Sequence, residues 1–327
     1  MSKRRMMIRI GFAALVLILA LVMLYSGLQI LESTVFSPVQ DPEPYVSKTI
    51  VRGDVAYYPR QDISVILVMG IDEEGPVASS GSYRNTGEAD MVALVILDQA
   101  EAAYRILCLN RDMMVEMPVL GLAGKQAGTD FAQLALSHTY GSGLQDSAEN
   151  TRKTVSDFLY GIRIDYYVAM NIEGIGVLTD AVGGVEVQVT DDFSLVDPTI
   201  TMGRLRLDPE QAVNFVRSRK DVGTEMNLSR MDRHREYMEG LAGALAEKVE
   251  KSEGFAVDLY DRMSEYAVTD CSVNGLNGLL QRCADYELKE ILSVEGENVL
   301  TEEYYEFYAD EQALDAMILE LFYAPKE

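Results

Sequence analysis

The 327-residue sequence is poor in several residue types on which common activities depend. It has no tryptophan, two histidines and three cysteines. The histidines, His138 and His234, form no His-Glu-x-x-His pattern, and no Gly-x-Ser-x-Gly turn occurs, so the usual zinc protease and serine hydrolase classes are excluded. The cysteines, at positions 108, 271 and 283, are too few and too scattered for a disulfide scaffold or a zinc cluster.

Positive charge is also scarce. The chain has 28 Lys and Arg against 52 Asp and Glu. Residues 1–31 hold four basic residues and no acidic one, so residues 32–327 carry 24 basic and 52 acidic side chains, a formal charge of −28. Such a surface repels phosphate backbones, because affinity for nucleic acid depends on Lys and Arg that neutralise them. Nucleic acid is therefore excluded as a partner.

A long apolar segment follows the N-terminal basic residues. Residues 10–31 contain no charged side chain, and as a helix rising ~1.5 Å per residue they span a ~30 Å bilayer core. The positive-inside rule places residues 1–9 in the cytoplasm and residues 32–327 outside the cell. The alternative is a cleaved signal peptide, but the segment is longer than a signal core and no small-residue cleavage site follows. We predict a single-pass protein of the cell membrane.

The outer part of the chain predicts an α/β fold. Residues 32–62 contain four prolines and no long periodic pattern, which indicates an extracellular spacer. Beyond them, apolar runs typical of buried strands alternate with helical patterns. This alternation predicts a three-layer sandwich, a mixed β-sheet with helices on both faces. We expect one compact catalytic domain over 63–327, with a core at 63–251 and a C-terminal part at 252–327.

The same patterns predict the individual elements. The predicted strands are Ile63–Ile71, Met91–Leu97, Tyr104–Asn110, Tyr166–Asn171, Val185–Val189 and Leu288–Val294, with a turn at 98–101. The predicted helices are Phe131–Tyr140, Ser147–Leu159, Ile172–Val182, one capped by Asp208 and Pro209, Arg230–Lys251, Ser272–Arg282 and Glu311–Phe322.

The basic residues beyond residue 31 are concentrated in one short segment. Residues 217–235 hold six of the 24 basic side chains beyond residue 31, and five of the six are arginines, whose planar group matches phosphate oxygens. Ser229, with an acid three residues later, resembles a capping box, so Arg230, Arg233 and His234 are expected on one face of a first helical turn. Cations there oppose the helix dipole, which indicates an anion site. A solvated face paired with nearby carboxylates accounts for the cluster equally well.

Acidic residues mark the ends of the predicted strands. Asp72 follows the first strand, Asp90 precedes the second, and Arg111 and Asp112 follow the third. Ligands in open α/β sheets bind at strand ends. Paired carboxylates beside arginines are what a Mg²⁺-bridged diphosphate requires, since the metal takes oxygen ligands and guanidinium groups bind phosphate. Taken singly, each acid is more often a turn residue or a helix cap.

Seven motifs follow one another behind the apolar segment: ILVMGID (66–72), ADMVALVILD (89–98), LNRDM (109–113), HTYGSG (138–143), IDYYVAMNIEGIGVLTDAVGGVEVQV (164–189), LDPEQAVNFVRSR (207–219) and SRMDRHR (229–235). In this order they resemble the LytR-CpsA-Psr family of bacterial cell-envelope proteins. The resemblance is clear from about residue 62 to 250. It implies an extracytoplasmic phosphotransferase that moves a polyprenyl-diphosphate-linked glycopolymer, such as teichoic acid or capsule, onto a peptidoglycan hydroxyl and releases polyprenyl phosphate.

The resemblance also implies roles for individual residues. Asp72 and Asp90 would hold the metal, Mg²⁺ or Mn²⁺. The implied diphosphate ligands are Arg111, Arg217, Arg219, Arg230, Arg233 and His234. The implied catalytic residues are Arg111, Asp112, Arg217 and Arg219, with Asp112 accepting the proton of the acceptor hydroxyl or orienting Arg111. The reaction would be an in-line attack on phosphorus, in which positioning and charge neutralisation supply most of the catalysis, with pyrophosphatase activity as a side reaction.

Four departures from the family pattern surround this implied site. Glu88 stands where the family has arginine, Asn110 where it has proline, Gln133 where it often has lysine, and His234 where it has glutamine. Arg84, in the long loop before Glu88, is a candidate replacement for the missing arginine. The departures keep a second hypothesis open, a catalytically weak module that binds polyprenyl diphosphate and serves as a scaffold or regulator of envelope assembly. Transcriptional regulation disagrees with the external location and the negative charge.

Overall fold

The computed structural model describes residues 48–121, 124–218, 221–223, 226–251, 255–271, 286–302 and 304–325. These residues divide into two compact units. Among the described residues, the sheet unit comprises those of 48–72, 78–169 and 289–325, and the helical unit comprises those of 73–77 and 170–288. Each unit is assembled from segments that are distant in the sequence, and the single catalytic domain expected over 63–327, with its division at residue 251, stays a prediction.

Strands predominate before residue 140, and helices predominate between residues 140 and 265. The strands are β1 (Ile50–Arg52), β2 (Val55–Pro59), β3 (Ile63–Ile71), β4 (Ala89–Asp98), β5 (Ala103–Leu109), β6 (Met114–Leu120), β7 (Gln126–Gln133), β8 (Tyr166–Asn171), β9 (Val185–Val189), β10 (Gly203–Leu207), β11 (Ala267–Thr269), β12 (Glu287–Ser293), β13 (Gly296–Leu300), β14 (Tyr305–Ala309) and β15 (Tyr323–Pro325). The helices are α1 (Gln145–Phe158), α2 (Glu173–Val182), α3 (Pro209–Arg217), α4 (Met226–Lys251), α5 (Phe255–Met263) and α6 (Glu311–Phe322), with a 3₁₀-helix at Leu134–Thr139.

The core of the sheet unit is a sheet in which β8, β3, β4, β5 and β12 are neighbours in that order. β3 pairs antiparallel with β4, and β4 pairs antiparallel with β5. Almost every residue of β3 is buried, which explains why its sequence is a nearly continuous apolar run rather than an alternating one. The predicted α/β class and the predicted bounds of β3 and β8 are confirmed. The placement of helices on both faces of the sheet stays a prediction.

A buried carboxylate closes the β4–β5 hairpin. Asp98 is fully buried and accepts hydrogen bonds from the backbone N–H groups of Ala100 and Glu101, at 3.1 and 3.0 Å. Its charge is balanced by Arg60 at 2.8 Å and by Arg105 at 3.4 Å. The turn predicted at 98–101 is confirmed, and it fixes the register of two strands whose far ends reach the candidate site.

Part of the predicted spacer is folded. β1 and β2 pair antiparallel, and β15 pairs with the other side of β2, placing Tyr323 opposite Pro59. The spacer prediction for 32–62 is therefore wrong for residues 50–59. The proline content was misleading there, because Pro59 lies at the last position of its strand, where a missing N–H is tolerated.

The helix predicted at Phe131–Tyr140 is wrong as well. Residues up to Gln133 belong to β7, which pairs antiparallel with β6, and a 3₁₀-helix follows. β7 is largely exposed, so no buried apolar face marks it in the sequence. The helices predicted at Ser147–Leu159 and Glu311–Phe322 and the strand predicted at Leu288–Val294 are confirmed as α1, α6 and β12.

In the helical unit, β9 and β10 form an antiparallel pair against which α4 packs, and α3 packs against α2. The predicted start of α3 is confirmed. Asp208 accepts the backbone N–H of Gln211, the Gln211 side chain caps in return, and Pro209 is the first helical residue. The predicted start of α4 is wrong, because the helix already includes Met226 and Ser229 lies inside it.

Two predicted segments lie outside the described residues, namely the N-terminal part with the apolar span at 10–31 and the helix at Ser272–Arg282. Among the helices of the described ranges, none has both the length and the apolar character that a membrane crossing requires.

The contact between α4 and β9 depends on a glycine. A Cβ atom on Gly240 would overlap the carbonyl oxygen of Glu186 and lie 2.9 Å from a methyl group of Val185. We expect Gly240→Ala to lower the free energy of unfolding by about 1–3 kcal/mol through overpacking. Gly243, in the same helix, has nothing within 4 Å of such an atom. Gly243→Ala is the matched control and should stabilise by about 0.5–1 kcal/mol in urea denaturation. Equal effects of the two substitutions would contradict the packing argument.

Candidate functional site

Asp72 and Asp90 lie at neighbouring ends of β3 and β4. The register of the two strands shifts just before Ile71, which pairs with Ala89. Beyond this shift, the backbone N–H groups of Asp72 and Asp90 both donate to the carbonyl oxygen of Glu88, at 2.9 and 3.0 Å. The irregular end of the strand pair therefore brings the two predicted metal ligands to the same peptide group.

Arg111 lies among three carboxylates at the end of β5. Its side chain is buried, and each of its three guanidinium nitrogens faces a different acid. Nη2 is 2.5 Å from Oε2 of Glu88, Nε is 3.2 Å from Oδ1 of Asp112, and Nη1 contacts Asp90. Three negative charges around one positive charge leave a local excess of negative charge, which favours a bound cation. This cluster, Glu88, Asp90, Arg111 and Asp112, is called the Arg111 cluster below.

The carboxylates of this region match what Mg²⁺ requires. Mg²⁺ takes hard oxygen ligands, and proteins commonly supply one or two carboxylates while phosphate and water supply the rest. Asp72 and Asp90 are two such carboxylates on adjacent strand ends. In the described ranges, no group of three or more His, Cys, Asp or Glu side chains is arranged as a metal site by itself.

Two of the departures from the family pattern have structural roles beside the Arg111 cluster. The Asn110 side chain accepts the backbone N–H of Asp112 at 2.9 Å, forming the tight turn that presents Arg111. Gln133, at the end of β7, donates to the carbonyl oxygen of Tyr305 at 2.7 Å and lies 3.4 Å from Oδ1 of Asp112. Both residues hold the segment after β5 in place.

The loop before Glu88 is fixed by two side chains. The Asn85 amide donates to the carbonyl oxygens of His138 and Gly141, both at 2.9 Å, and its oxygen accepts the N–H of Gly87 at 2.7 Å. His138 donates from Nδ1 to the carbonyl oxygen of Gly87 at 2.8 Å. His138 is therefore a buried hydrogen-bonding residue.

Arg84 does not replace the arginine that is missing at position 88. Its guanidinium carbon lies 3.9 Å from the centre of the Tyr140 ring, in a cation–π contact. The place beside Arg111 is taken by the carboxylate of Glu88 instead.

The burial of His138 predicts a pH dependence of stability. Burial lowers the pKa of His138 from 6.5 to about 4, so the folded state favours the neutral ring. The contribution of the neutral His138 ring to the unfolding free energy is fully present above pH 6.5. It falls by about 3 kcal/mol as the pH drops toward 4. We expect the difference in unfolding free energy between wild type and His138→Gln to change across this window. Urea denaturation between pH 4 and 7.5 measures it, and a difference that stays constant with pH would contradict the assignment.

In the helical unit, Arg217 is the last residue of α3. Its side chain is 43% exposed, and Nη1 lies 2.8 Å from Oε1 of the exposed Glu74. Arg230 lies on α4 and is buried. Arg219 lies outside the described residues. Since α4 includes Met226, the predicted placement of Arg230 in a first helical turn is wrong.

Arg233 and His234 hold the C-terminal end of α3. Arg233 donates from Nε to the carbonyl oxygen of Phe215 at 2.9 Å and from Nη2 to that of Ser218. His234 donates from Nε2 to the carbonyl oxygen of Val216 at 3.1 Å. The last carbonyls of a helix have no partner within the helix, and these side chains supply one. Both predicted diphosphate ligands are thus engaged by the protein itself and position the segment that carries Arg217.

Asp191 completes this arrangement, and sequence reasoning missed it. Its Oδ2 lies 2.6 Å from Nη1 of Arg233, and the Arg233 guanidinium also lies 5.6 Å from the centre of the Phe193 ring, which stacks on Phe215. Asp191 is 42 residues from its partner, and the other partners are backbone carbonyls, so no motif marks the set. Arg233, Asp191 and His234 are called the α3 clamp below.

The α3 clamp predicts a large effect on stability. Arg233→Met leaves buried carbonyls and the Asp191 carboxylate without their cation, and we expect it to lower the unfolding free energy by about 3 kcal/mol. Arg235, 43% exposed and paired with Asp232, is the matched control, and Arg235→Met should cost about 0.5 kcal/mol or less. A double-mutant cycle with Asp191→Asn should give a coupling above about 1 kcal/mol. Additive effects would show that the ion pair is not what holds the end of α3.

The mixed α/β fold is shared with solved bacterial structures. The crystal structure of TagV from B. subtilis is 24% identical, covers 80% of this chain and 96% of that chain, and has a TM-score of 0.60. TagT bound to LIIa-WTA is 22% identical, covers 88% of this chain and 98% of that chain, and has a TM-score of 0.59. At these identities the likeness defines the fold.

The chain belongs to the LytR_cpsA_psr family, whose model matches residues 40–322. Two relatives are named polyisoprenyl-teichoic acid–peptidoglycan teichoic acid transferase TagU. The one from Oceanobacillus iheyensis is 25% identical over 290 residues, which cover 86% of this chain and 82% of that protein. The one from Halalkalibacterium halodurans is 27% identical over 249 residues, 74% of each chain. The family resemblance inferred from the seven motifs is confirmed.

Proposed function

We propose that this protein is a phosphotransferase that attaches a polyprenyl-diphosphate-linked glycopolymer to peptidoglycan and releases polyprenyl phosphate. The observation that carries the proposal is the family membership over residues 40–322, with relatives named for this transfer over most of their length. The sequence retains Arg111, Arg217, Arg219 and Arg230 of the family pattern, together with Asp72 and Asp90.

The chemistry follows from charge. A diphosphate brings negative charge that must be neutralised before a hydroxyl oxygen can approach phosphorus. Asp72 and Asp90 would hold Mg²⁺, which neutralises phosphoryl oxygens when bound. The surroundings of Arg217 support a direct role in binding the diphosphate. Its guanidinium is accessible, and Glu74, with which it pairs, is an exposed carboxylate that a phosphate can replace. Asp112, beside Arg111, is the proposed acceptor of the hydroxyl proton or the group that orients the arginine.

Glu88 sets a condition on this mechanism. Its carboxylate lies on Nη2 of Arg111, so a phosphate oxygen reaches that nitrogen only after Glu88 moves. With 36% of its side chain exposed, Glu88 has solvent into which it can move, whereas Asp90 and Asp112 are more buried. The contact is also the observation that favours the alternative, a binding module with weak turnover.

The location belongs to the same proposal. Residues 10–31 would anchor the chain as a single membrane span, with residues 1–9 in the cytoplasm and the described units outside the cell. A membrane-anchored enzyme reaches lipid-linked donors in the outer leaflet and the wall beyond it. The choice between teichoic acid, capsule and a related polymer depends on the donor that is offered.

The function is tested by transfer. Full-length protein in detergent is incubated with Mg²⁺, a labelled polyprenyl-diphosphate-linked oligosaccharide and peptidoglycan fragments, and label in the acceptor is followed. We expect transfer by the wild type and a loss of about 100- to 1,000-fold in Arg217→Ala and in Arg111→Ala, because each removes a cation from the developing charge. Arg204, 75% exposed and paired with Glu186, is the matched control, and Arg204→Ala should retain activity.

Glu88→Gln belongs in the same experiment. If Glu88 competes with phosphate for Arg111, this variant lowers the KM for the donor without lowering kcat. Donor bound tightly by the wild type without turnover, whichever acceptor is offered, would replace the transferase proposal with the binding-module one.

A further inference from the structure

An open cleft of about 780 Å³ lies in the sheet unit, where the end of α1 faces β14 and the start of α6. Its volume falls in the range of small-molecule sites, about 300–1,000 Å³. None of the residues of the Arg111 cluster lines it. The residues that define its chemistry are Phe158, Tyr160, Tyr308, Glu311, Gln312 and Asp315.

Two tyrosine rings belong to the apolar part of the cleft. Tyr160 and Tyr308 are 38% and 39% exposed, so both present ring surface to solvent. The Tyr308 hydroxyl donates to Oε2 of Glu306 at 2.6 Å, which fixes its ring. Tyr160 follows α1 with φ of 64°, a conformation that is costly for a bulky residue. The chain thus holds the Tyr160 ring at the cleft at some cost in backbone energy.

Two carboxylates, Glu311 and Asp315, dominate the polar part of the cleft. Asp315 accepts Nε of Arg52 at 2.9 Å, and Glu311 and Gln312 stand at the start of α6. Burial raises the pKa of the Tyr160 phenol, and the charge of Asp315, to which the phenol donates, adds to this. Glu311, Asp315 and the neighbouring Glu306 outnumber Arg52, so the cleft carries a net negative charge.

We infer that this cleft binds the glycan backbone of the peptidoglycan acceptor, a neutral N-acetylated oligosaccharide. Sugar C–H groups pack on the negative faces of the Tyr160 and Tyr308 rings, and sugar hydroxyls donate to the Glu311 and Asp315 carboxylates. A polyanionic donor polymer is repelled by the same carboxylates. The inference rests on the proposed transferase function, which supplies peptidoglycan as the acceptor, and it adds where the acceptor is held.

Direct binding tests the inference independently of transfer. Full-length protein in detergent is titrated calorimetrically with N-acetylglucosamine oligomers and, separately, with a glycerol phosphate oligomer as the anionic probe. We expect the neutral oligomers to bind and the anionic one not to bind in the cleft. Tyr308→Ala should weaken the neutral oligomer at least fivefold, whereas Tyr308→Phe keeps the ring and should restore binding. Tyr160→Asn, which tolerates the positive φ, should also weaken it.

The matched control is Tyr58, a tyrosine of the sheet unit that is 42% exposed and does not line the cleft. Tyr58→Ala should leave oligomer binding unchanged. In the transfer assay, Tyr308→Ala should raise the KM for acceptor and leave the KM for donor and kcat as they are.

Each other outcome has a definite meaning. Neutral oligomers that do not bind the wild type, or that bind all variants equally, overturn the cleft assignment and leave the transferase proposal standing. If the anionic oligomer binds and Tyr308→Ala weakens that binding, the cleft belongs to the donor polymer, which also overturns the inference. Oligomer binding that depends on Tyr308, in a protein without transfer activity, would support the cleft and refute the transferase.

Discussion

A buried guanidinium organises each unit of this protein. Arg111 gathers the carboxylates at the ends of β4 and β5, and Arg233 gathers the carbonyl groups at the end of α3. In a chain with such an excess of acids, an arginine that serves several acceptors at once is an effective use of scarce positive charge. The two arginines differ in one respect: the acids around Arg111 leave a negative excess, whereas Arg233 faces one carboxylate and neutral carbonyls.

This difference lies in the groups that each guanidinium faces. The Arg111 cluster has the excess of negative charge that the proposed divalent cation would require. The α3 clamp has no such excess and directs its hydrogen bonds to the backbone around Arg217. Similar-looking arginines of one sequence therefore have different surroundings, an acid cluster in one unit and a helix end in the other.

Secondary structure could be predicted from the sequence where burial produces a regular pattern of apolar residues along the chain. The bounds of β3, β8 and β9 were predictable, because continuous or strictly alternating apolar residues determine them. β7 was not predictable, because an exposed strand pairs through its backbone groups and leaves no apolar pattern in the side chains. The position of Asp90 at a strand end was also predictable, but its contact with Arg111 was not.

The same reasoning explains the rest of the site. Asn110 was noted as a departure, yet its turn-forming hydrogen bond depends on backbone geometry that composition does not show. Asp191 and Arg233 are far apart in the sequence. In a chain with so many acidic residues, nothing distinguishes Asp191 as the partner of a buried arginine. Contacts between residues that are distant in the sequence cannot be predicted from a single sequence.

The small sheet of β1, β2 and β15 imposes an order on assembly. β2 begins at Val55 and receives its second partner from β15, at Tyr323–Pro325. Contacts between such distant parts of a chain form late, because the intervening loop must first be ordered. For a protein made from its N-terminus, this edge of β2 stays open until β15 has emerged. A product that stops short of β15 carries an unpaired strand edge, which is a template for pairing with another chain.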